Sequence, residues 1–242
     1  MHKHNSFLTL TYDDEHLPKD SSLDVSHWQD FAKRLRYSRG PFRYYHCGEY
    51  GPLYGRPHLH SLMFGISFYS DQWYWKTENG HCLYRSDSLE KTWGHGIVAI
   101  GELNYATAMY TASYTQKKLY GDQGKEHYQR VDASTGEITP LKPPYSTMSR
   151  RPGLGRSWYE KYRDDLYPDG YAVINGFKCR IPKYYDALYD IENPVGFSEL
   201  QERRQKHSRL ETPERLSTIE ELKIRTQKFN QSRAGTGLAP EQ

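Results

Sequence analysis

Arg56-Pro57-His58-Leu59-His60-Ser61-Leu62-Met63-Phe64-Gly65 is the stretch from which the rest of the chain can be read. An apolar run of this kind reads as a strand, and successive strand side chains point to opposite faces. His58 and His60 therefore share one face, while Leu59 turns back into the core. Two imidazoles side by side make half of a metal site, or else two ordinary polar-face residues. Upstream, Phe42-Arg43-Tyr44-Tyr45-His46-Cys47-Gly48-Glu49-Tyr50 has strand composition and runs into the turn-rich Gly51-Pro52-Leu53-Tyr54-Gly55-Arg56-Pro57. A hairpin there brings Glu49 back toward the histidines and makes it the natural third ligand. A carboxylate with two imidazoles leaves coordination positions open for water and phosphate oxygens, which suits Mg²⁺ or Mn²⁺.

The second constellation lies in Asn104 to Gly121. Asn104 stands at a helix N-cap position, alanines follow, lysines occupy the last turn, and Gly121 sits where a helix is expected to stop. Residues three and four apart share a helix face, so Tyr110, Tyr114 and Lys117 or Lys118 form one row. A tyrosine phenolate can attack a phosphodiester and hold the cut strand covalently, while a cation polarises the phosphate and a lysine stabilises the developing charge. With 22 tyrosines in the chain, core packing is the competing reading of this pair. Lys117 and Lys118 follow Tyr114 on its own face, whereas Tyr110 has Ser113 and Tyr114 at those offsets, so Tyr114 is expected to be the stronger nucleophile. The hydroxyls are expected to face the histidines across a gap wide enough for a phosphate.

Taken in order, Phe7-Leu8-Thr9-Leu10-Thr11-Tyr12, the His58-Leu59-His60 strand and Tyr110-x-x-x-Tyr114-x-x-Lys117-Lys118 are similar to the three motifs of HUH endonucleases of the two-tyrosine replication-initiator class. Three longer phrases narrow the resemblance: FLTLTYDDEHLP from Phe7 to Pro18, His46-Cys47-Gly48-Glu49-Tyr50-Gly51, and Met148-Ser149-Arg150-Arg151-Pro152-Gly153-Leu154-Gly155. They resemble the replication initiators of small single-stranded DNA phages of the microvirus family, gokushovirus branch, from about Phe7 to about Asp186. The resemblance implies that Glu49, His58 and His60 bind Mg²⁺ or Mn²⁺, that Tyr110 and Tyr114 are nucleophiles, and that Lys117 assists Tyr114. It further implies a replication initiation protein that nicks and rejoins supercoiled or single-stranded phage origin DNA through a 5′-phosphotyrosine. Its expected partners are a host helicase and polymerase, in the cytoplasm of an infected bacterium. Plasmid-mobilisation relaxases and single-strand transposases share this chemistry, and a non-catalytic DNA-binding module is the third alternative. The chain departs from the family at Ser113, where a basic residue is common.

Composition is compatible with this reading. Of 242 residues 36% are hydrophobic, and a mean hydropathy of -0.93 describes a polar chain long enough for one substantial domain with appendages. No apolar run is long enough to span a bilayer, and Met1-His2-Lys3-His4-Asn5 leads directly into a strand without a signal-like apolar segment. Cys47, Cys82 and Cys179 lack CxxC spacing and point to a reducing compartment, with a zinc pair of His46-Cys47 and His81-Cys82 as a distant alternative. No GxxxxGK[ST] phosphate loop occurs, so no nucleotide cofactor is expected and unwinding must come from elsewhere. The net charge of +3 is modest, but basic residues cluster at Lys33, Arg34, Arg36 and Arg39, at Lys142, Arg150, Arg151 and Arg156, and at Lys178, Arg180 and Lys183. Interleaved with Tyr37, Tyr145, Trp158 and Tyr159, they suit a single-stranded backbone with stacked bases. Arg56, Lys118, Arg150 and Arg151 are the candidate DNA contacts.

The expected class is α+β: a central antiparallel, RRM-like sheet carrying His-x-His, with packed helices and a helical C-terminal extension. Residues 1–121 form the core in this reading, 122–191 a loop-rich and hairpin extension of it, and 192–242 a charged helical tail with a disordered end. Within the core, Ser26 caps a helix carrying Trp28, Phe31 and Leu35, a polar connection holds Trp73, Tyr74 and Trp75, and a short helix lies near Ser88–Trp93. Further on, Trp158–Tyr167 is helical and Asn175-Gly176 turns a hairpin. The tail reads as two helices broken near Pro213, its apolar residues, Leu200 among them, too sparse for a core of their own.

Overall fold

Alternation decides the first strand. Ser6, Leu8 and Leu10 of β1 (Asn5–Thr11) are buried in a core, and Phe7, Thr9 and Thr11 face the other way. The computed structural model describes residues 1–51, 55–116, 119, 121–131, 135–174 and 176–209, with Thr115, Gln116, Lys125 and 207–209 described by backbone alone. Strands β2 (Arg43–Tyr50), β3 (Pro57–Phe64), β4 (Gln72–Glu78), β5 (His81–Ser86), β6 (Val98–Gly101) and β9 (Tyr145–Met148) join β1 in a seven-stranded sheet of order β4-β5-β6-β1-β3-β2-β9. Every pairing in it is antiparallel, so the α+β class with a central antiparallel sheet is the observed one.

One face of this sheet carries α1 (Val25–Arg39) and α2 (Asp87–Trp93). Trp28, Phe31 and Leu35 of α1, with Leu89 and Trp93 of α2, bury themselves on Leu8, Leu10, Leu59, Met63 and Ile100. Asp24, and not Ser26, caps α1: its extended backbone lets the carboxylate accept the Ser26 amide at 2.9 Å. The stretch read as a polar connection is the β4–β5 hairpin. A register shift between Tyr74 and Lys76 breaks the period-two pattern there, although Asn79-Gly80, both with positive φ, is a hairpin-turn dipeptide. The alternative zinc pair is ruled out by the topology, because β6, β1 and β3 lie between Cys82 on β5 and Cys47 on β2.

On the opposite face lies α3 (Tyr105–Gln116), which Asn104 caps as expected by accepting the Thr107 amide at 3.0 Å. Gly121 does not end that helix; with φ of +65° it opens the short α4 (Gly121–His127). The segment read as loop-rich also contains the ribbon of β7 (Gln129–Val131) and β8 (Ile138–Pro140), and it supplies edge strand β9. Strand β9 seats Tyr145 beside Gly48, where a Cβ would stand 2.7 Å from the Tyr145 ring and 2.9 Å from Leu23. Next to it, fully buried His46 stacks on Trp28 at 3.9 Å and lies between the Ser61 and Tyr145 hydroxyls, and burial holds its imidazole neutral.

The chain divides into two compact units, one from His2 to Leu154 and the other from Gly155 onward, so the change falls inside the segment 122–191. The second unit contains α5 (Arg156–Leu166), the hairpin of β10 (Tyr171–Ile174) and β11 (Phe177–Arg180), α6 (Lys183–Glu192) and α7 (Pro194–Arg209). Leu200 departs from the sequence reading: it is buried with Tyr159, Leu166, Tyr167 and Ile181 in a core of this unit's own. Aromatic neighbours such as Tyr185 and Tyr189, which periodicity in aliphatic residues does not reveal, complete that core. Asn175, the break near Pro213 and the end after Gln231 lie outside the described residues. Among the described residues no helix is long and apolar enough to cross a membrane.

Gly48→Ala tests the close packing of β9 against β2. Overpacking of this kind costs about 1–3 kcal/mol, so thermal unfolding should show a lowered midpoint. An unchanged midpoint would mean that Tyr145 and Leu23 move aside freely.

Candidate functional site

Strand pairing assembles the site. Across β2 and β3, Glu49 stands opposite His58 and Cys47 opposite His60; across β1 and β3, Thr11 stands opposite His58 and Thr9 opposite His60. Directly opposed residues point to the same face, so the two imidazoles and the Glu49 carboxylate share the face that α3 covers. His60 Nε2 lies 3.0 Å from Glu49 Oε1, and since a carboxylate only accepts, this nitrogen carries the N–H. Thr9 Oγ1 meets His60 Nδ1 at 3.2 Å, and Phe7 stacks on the same ring with centroids 5.9 Å apart. His58 Nδ1 donates to the Arg56 carbonyl at 2.9 Å, which leaves Nε2 as its lone-pair nitrogen. Gly51 makes room for this imidazole: a Cβ there would stand 2.9 Å from His58 Cε1.

Helix α3 brings both tyrosines onto the histidine strand. Tyr114 lies parallel to the His60 ring with centroids 5.3 Å apart, and Tyr110 meets it edge-on at 5.4 Å. The Tyr114 hydroxyl donates to that of Tyr110. Neither ring belongs to a core cluster among the described residues, which sets the core-packing reading aside. The expected open gap is not there. The rings stand against His60 directly, because α3 docks closely enough for the Cys47 thiol to donate to the Thr111 carbonyl at 3.8 Å.

Burial sets the charge states. It lowers the His58 pKa, with His60 adding to the effect, so the imidazole is held in the neutral form that binds metals. It raises the Tyr114 pKa far above the ordinary value, and neighbouring Tyr110 and Glu49 act in the same direction. The Cys47 thiol is pushed up to about 12 by burial and then by Glu49. Among the described residues no three His, Cys, Asp or Glu side chains stand ready-made as a cation cage. The donor set nevertheless fits a divalent cation, because Thr9 and the Arg56 carbonyl occupy the Nδ1 atoms and turn both Nε2 atoms to the Glu49 side.

Known proteins point the same way. Residues 5–119, which span β1 to α3 and so the whole constellation, match the family model of the replication-associated protein ORF2. The chain belongs to that family. Replication-associated protein VP4 of Bdellovibrio phage phiMH2K is 33% identical over 205 residues, 81% of this chain and 61% of the relative. Replication-associated protein ORF2 of Spiroplasma virus 4 is 31% identical over 78% of this chain and 59% of its own length. For replication-associated protein ORF4 of Chlamydia phage 1 the figures are 30%, 77% and 46%. The chain thus spans about half to three-fifths of the length of these relatives. No solved structure matches it.

The other sequence-derived residues of this family member are spread more widely. Lys117 and Lys118 lie outside the described residues. Arg56 is held near the site, with one guanidinium nitrogen 2.7 Å from Asp14 and another 3.0 Å from the Tyr12 carbonyl. Arg150 and Arg151 are exposed just after β9, where Ser149 is fastened to Tyr44. That is the far end of β2 from Glu49, about 16 Å along an extended strand, so these arginines do not join the constellation. Sequence reasoning overlooked Phe7 and Thr9, which shape and orient His60. The signal was present as alternation in Phe7-x-Thr9-x-Thr11 opposite the buried Leu8 and Leu10.

Because Tyr114 is held as a phenol, its ring resonances in the free protein should stay in the phenol position above pH about 10, where exposed tyrosines ionise. Comparison with Tyr114→Phe assigns the signal. Ionisation together with the exposed tyrosines would contradict the burial described here.

Proposed function

We propose that this protein initiates rolling-circle replication of a small single-stranded DNA phage by nicking the origin through a covalent 5′-phosphotyrosine. The convergence of Glu49, His58, His60, Tyr110 and Tyr114 on one sheet face carries the reading. The replication-associated relatives favour replication over plasmid mobilisation or transposition.

Glu49, His58 and His60 would hold Mg²⁺ or Mn²⁺. When bound, the ion polarises the scissile phosphate and offsets the charge that develops on it. Thr9 and the Arg56 carbonyl orient the imidazoles, and Phe7 walls His60 from solvent. Tyr114 attacks phosphorus: the tyrosyl O–P bond forms as the P–O3′ bond breaks, the phenol loses its proton, and the departing 3′ oxygen leaves as a hydroxyl. The 5′ phosphate remains on the protein while a host polymerase extends the free 3′ end and a host helicase unwinds. Tyr110 cuts the regenerated origin, and the freed 3′ hydroxyl attacks the phosphotyrosine to close a circle. Lys117 stabilises the charge beside Tyr114, and Arg56, Lys118, Arg150 and Arg151 contact phosphates. The work takes place in the cytoplasm of the infected bacterium.

The deciding experiment is adduct formation on circular single-stranded genomic DNA. Wild-type protein should form a denaturation-resistant adduct that requires Mg²⁺ or Mn²⁺ and disappears with chelator, while DNA binding survives. Tyr114→Phe should impair initial nicking more than Tyr110→Phe, and the double substitution should abolish the adduct. Full cleavage by the double variant would refute the assignment.

A separate expectation concerns orientation. Thr9→Val keeps the volume of the side chain and removes the hydroxyl beside His60, and loss of such a partner typically weakens metal affinity about 10–100-fold. Titrating Mn²⁺ against cleavage and against direct metal binding should show that shift with little change in DNA affinity. Unaltered Mn²⁺ dependence would remove Thr9 from the site.

A further inference from the structure

The β10–β11 hairpin has two unlike faces. Cross-strand pairing sets Ala172 opposite Cys179 and Ile174 opposite Phe177 on one face, and Tyr171 opposite Arg180 and Val173 opposite Lys178 on the other. Ala172 packs against the core of the second unit, so the first face begins inside that core. Two residues farther along, about 7 Å beyond it, the apolar face continues into solvent. There Ile174 is 46% exposed and Phe177 61%, while Val173 on the other face is 64% exposed. No third strand pairs with this ribbon among the described residues. Three neighbouring apolar side chains therefore leave much of their surface in water, which is unusual at a hairpin tip and marks a contact surface.

The other face is cationic. Lys178 Nζ stands over the Tyr171 ring at 4.3 Å, and Arg180 beside it is exposed. An apolar tip on a basic ribbon combines two requirements of DNA deformation: side chains that enter between base steps, and cations that hold the flanking phosphates. The sequence has no phosphate-loop motor, so any opening that this chain achieves must draw on binding energy.

We infer that the β10–β11 hairpin is a wedge that inserts Ile174 and Phe177 into duplex DNA and unstacks it locally, exposing a single strand for cleavage. The inference rests on the proposed action on origin DNA, but it concerns a separate step and a separate unit of the protein. The basic face commits the occupant to DNA; a docked protein is the competing occupant that the test exposes.

The test uses the full chain and the double-stranded circular form of the genome that encodes it. Permanganate reactivity of thymines reports unstacking whether or not cleavage follows. Wild-type protein should create a discrete reactive patch in the presence of chelator. The double variant Ile174→Ser/Phe177→Ser should lower that reactivity about tenfold, whereas Ile174→Leu/Phe177→Leu should retain it. Cleavage of the circular single-stranded genome, which needs no opening, should stay within about twofold for both variants. If the serine variant opens the duplex like wild type, or if wild type opens none, the wedge is overturned and the tip belongs to a protein contact. If no protein cleaves the single strand while wild type alone unstacks the duplex, the nicking chemistry fails and the wedge stands.

Discussion

The register of three strands is the constraint on which the rest depends. Pairing of β2 and β1 with β3 sets Glu49 and Thr11 opposite His58, and Cys47 and Thr9 opposite His60. A slip of one residue would send both imidazoles into the core and Leu59 and Ser61 to the other face. Fully buried Leu8, Leu10, Leu59 and Met63 prevent it, because their burial against α1 and α2 is lost in any other register. At about 1.5–3 kcal/mol for each large apolar side chain, the helix-covered face fixes the geometry of the opposite one. The chemical face needs no apolar packing of its own to be well ordered.

What that face lacks is positive charge. His58 is held neutral and Tyr114 is held as a phenol, both chiefly by burial, while the Glu49 carboxylate stands among them. On the proposed reading, ionisation of the phenol is unfavourable until a cation and a phosphate arrive together, so the nucleophile is created only in the assembled complex. The contact between the two tyrosine hydroxyls couples them, so a charge that forms on one is felt by the other. A division of labour between Tyr110 and Tyr114 is then a property of the pair.

Local patterns made several elements legible in the amino-acid sequence. His-x-His on a strand, a carboxylate across a hairpin and two tyrosines on a capped helix could all be read there, because each depends on a local period or on a short turn. The β4–β5 hairpin could not, since a bulge at its centre destroys the alternation by which strands are recognised. Asp24 displaced Ser26 as a cap because its backbone is extended, a property that residue type alone does not reveal. Leu200 found a core among tyrosines, which an aliphatic count cannot see.

The sequence by itself determined which residues could do chemistry and which face of each element they would occupy, since side-chain direction follows from periods of 2 and 3.6 residues along the chain. Tertiary structure alone decided the order β4-β5-β6-β1-β3-β2-β9 and the closeness of the tyrosine rings to His60. It alone set Arg150 and Arg151 at the far end of β2, and it alone brought Thr9 and the Arg56 carbonyl to the two Nδ1 atoms. Those outcomes depend on contacts between residues far apart in the chain. Such contacts are chosen by packing of the whole sheet against its helices, and no local pattern carries that information.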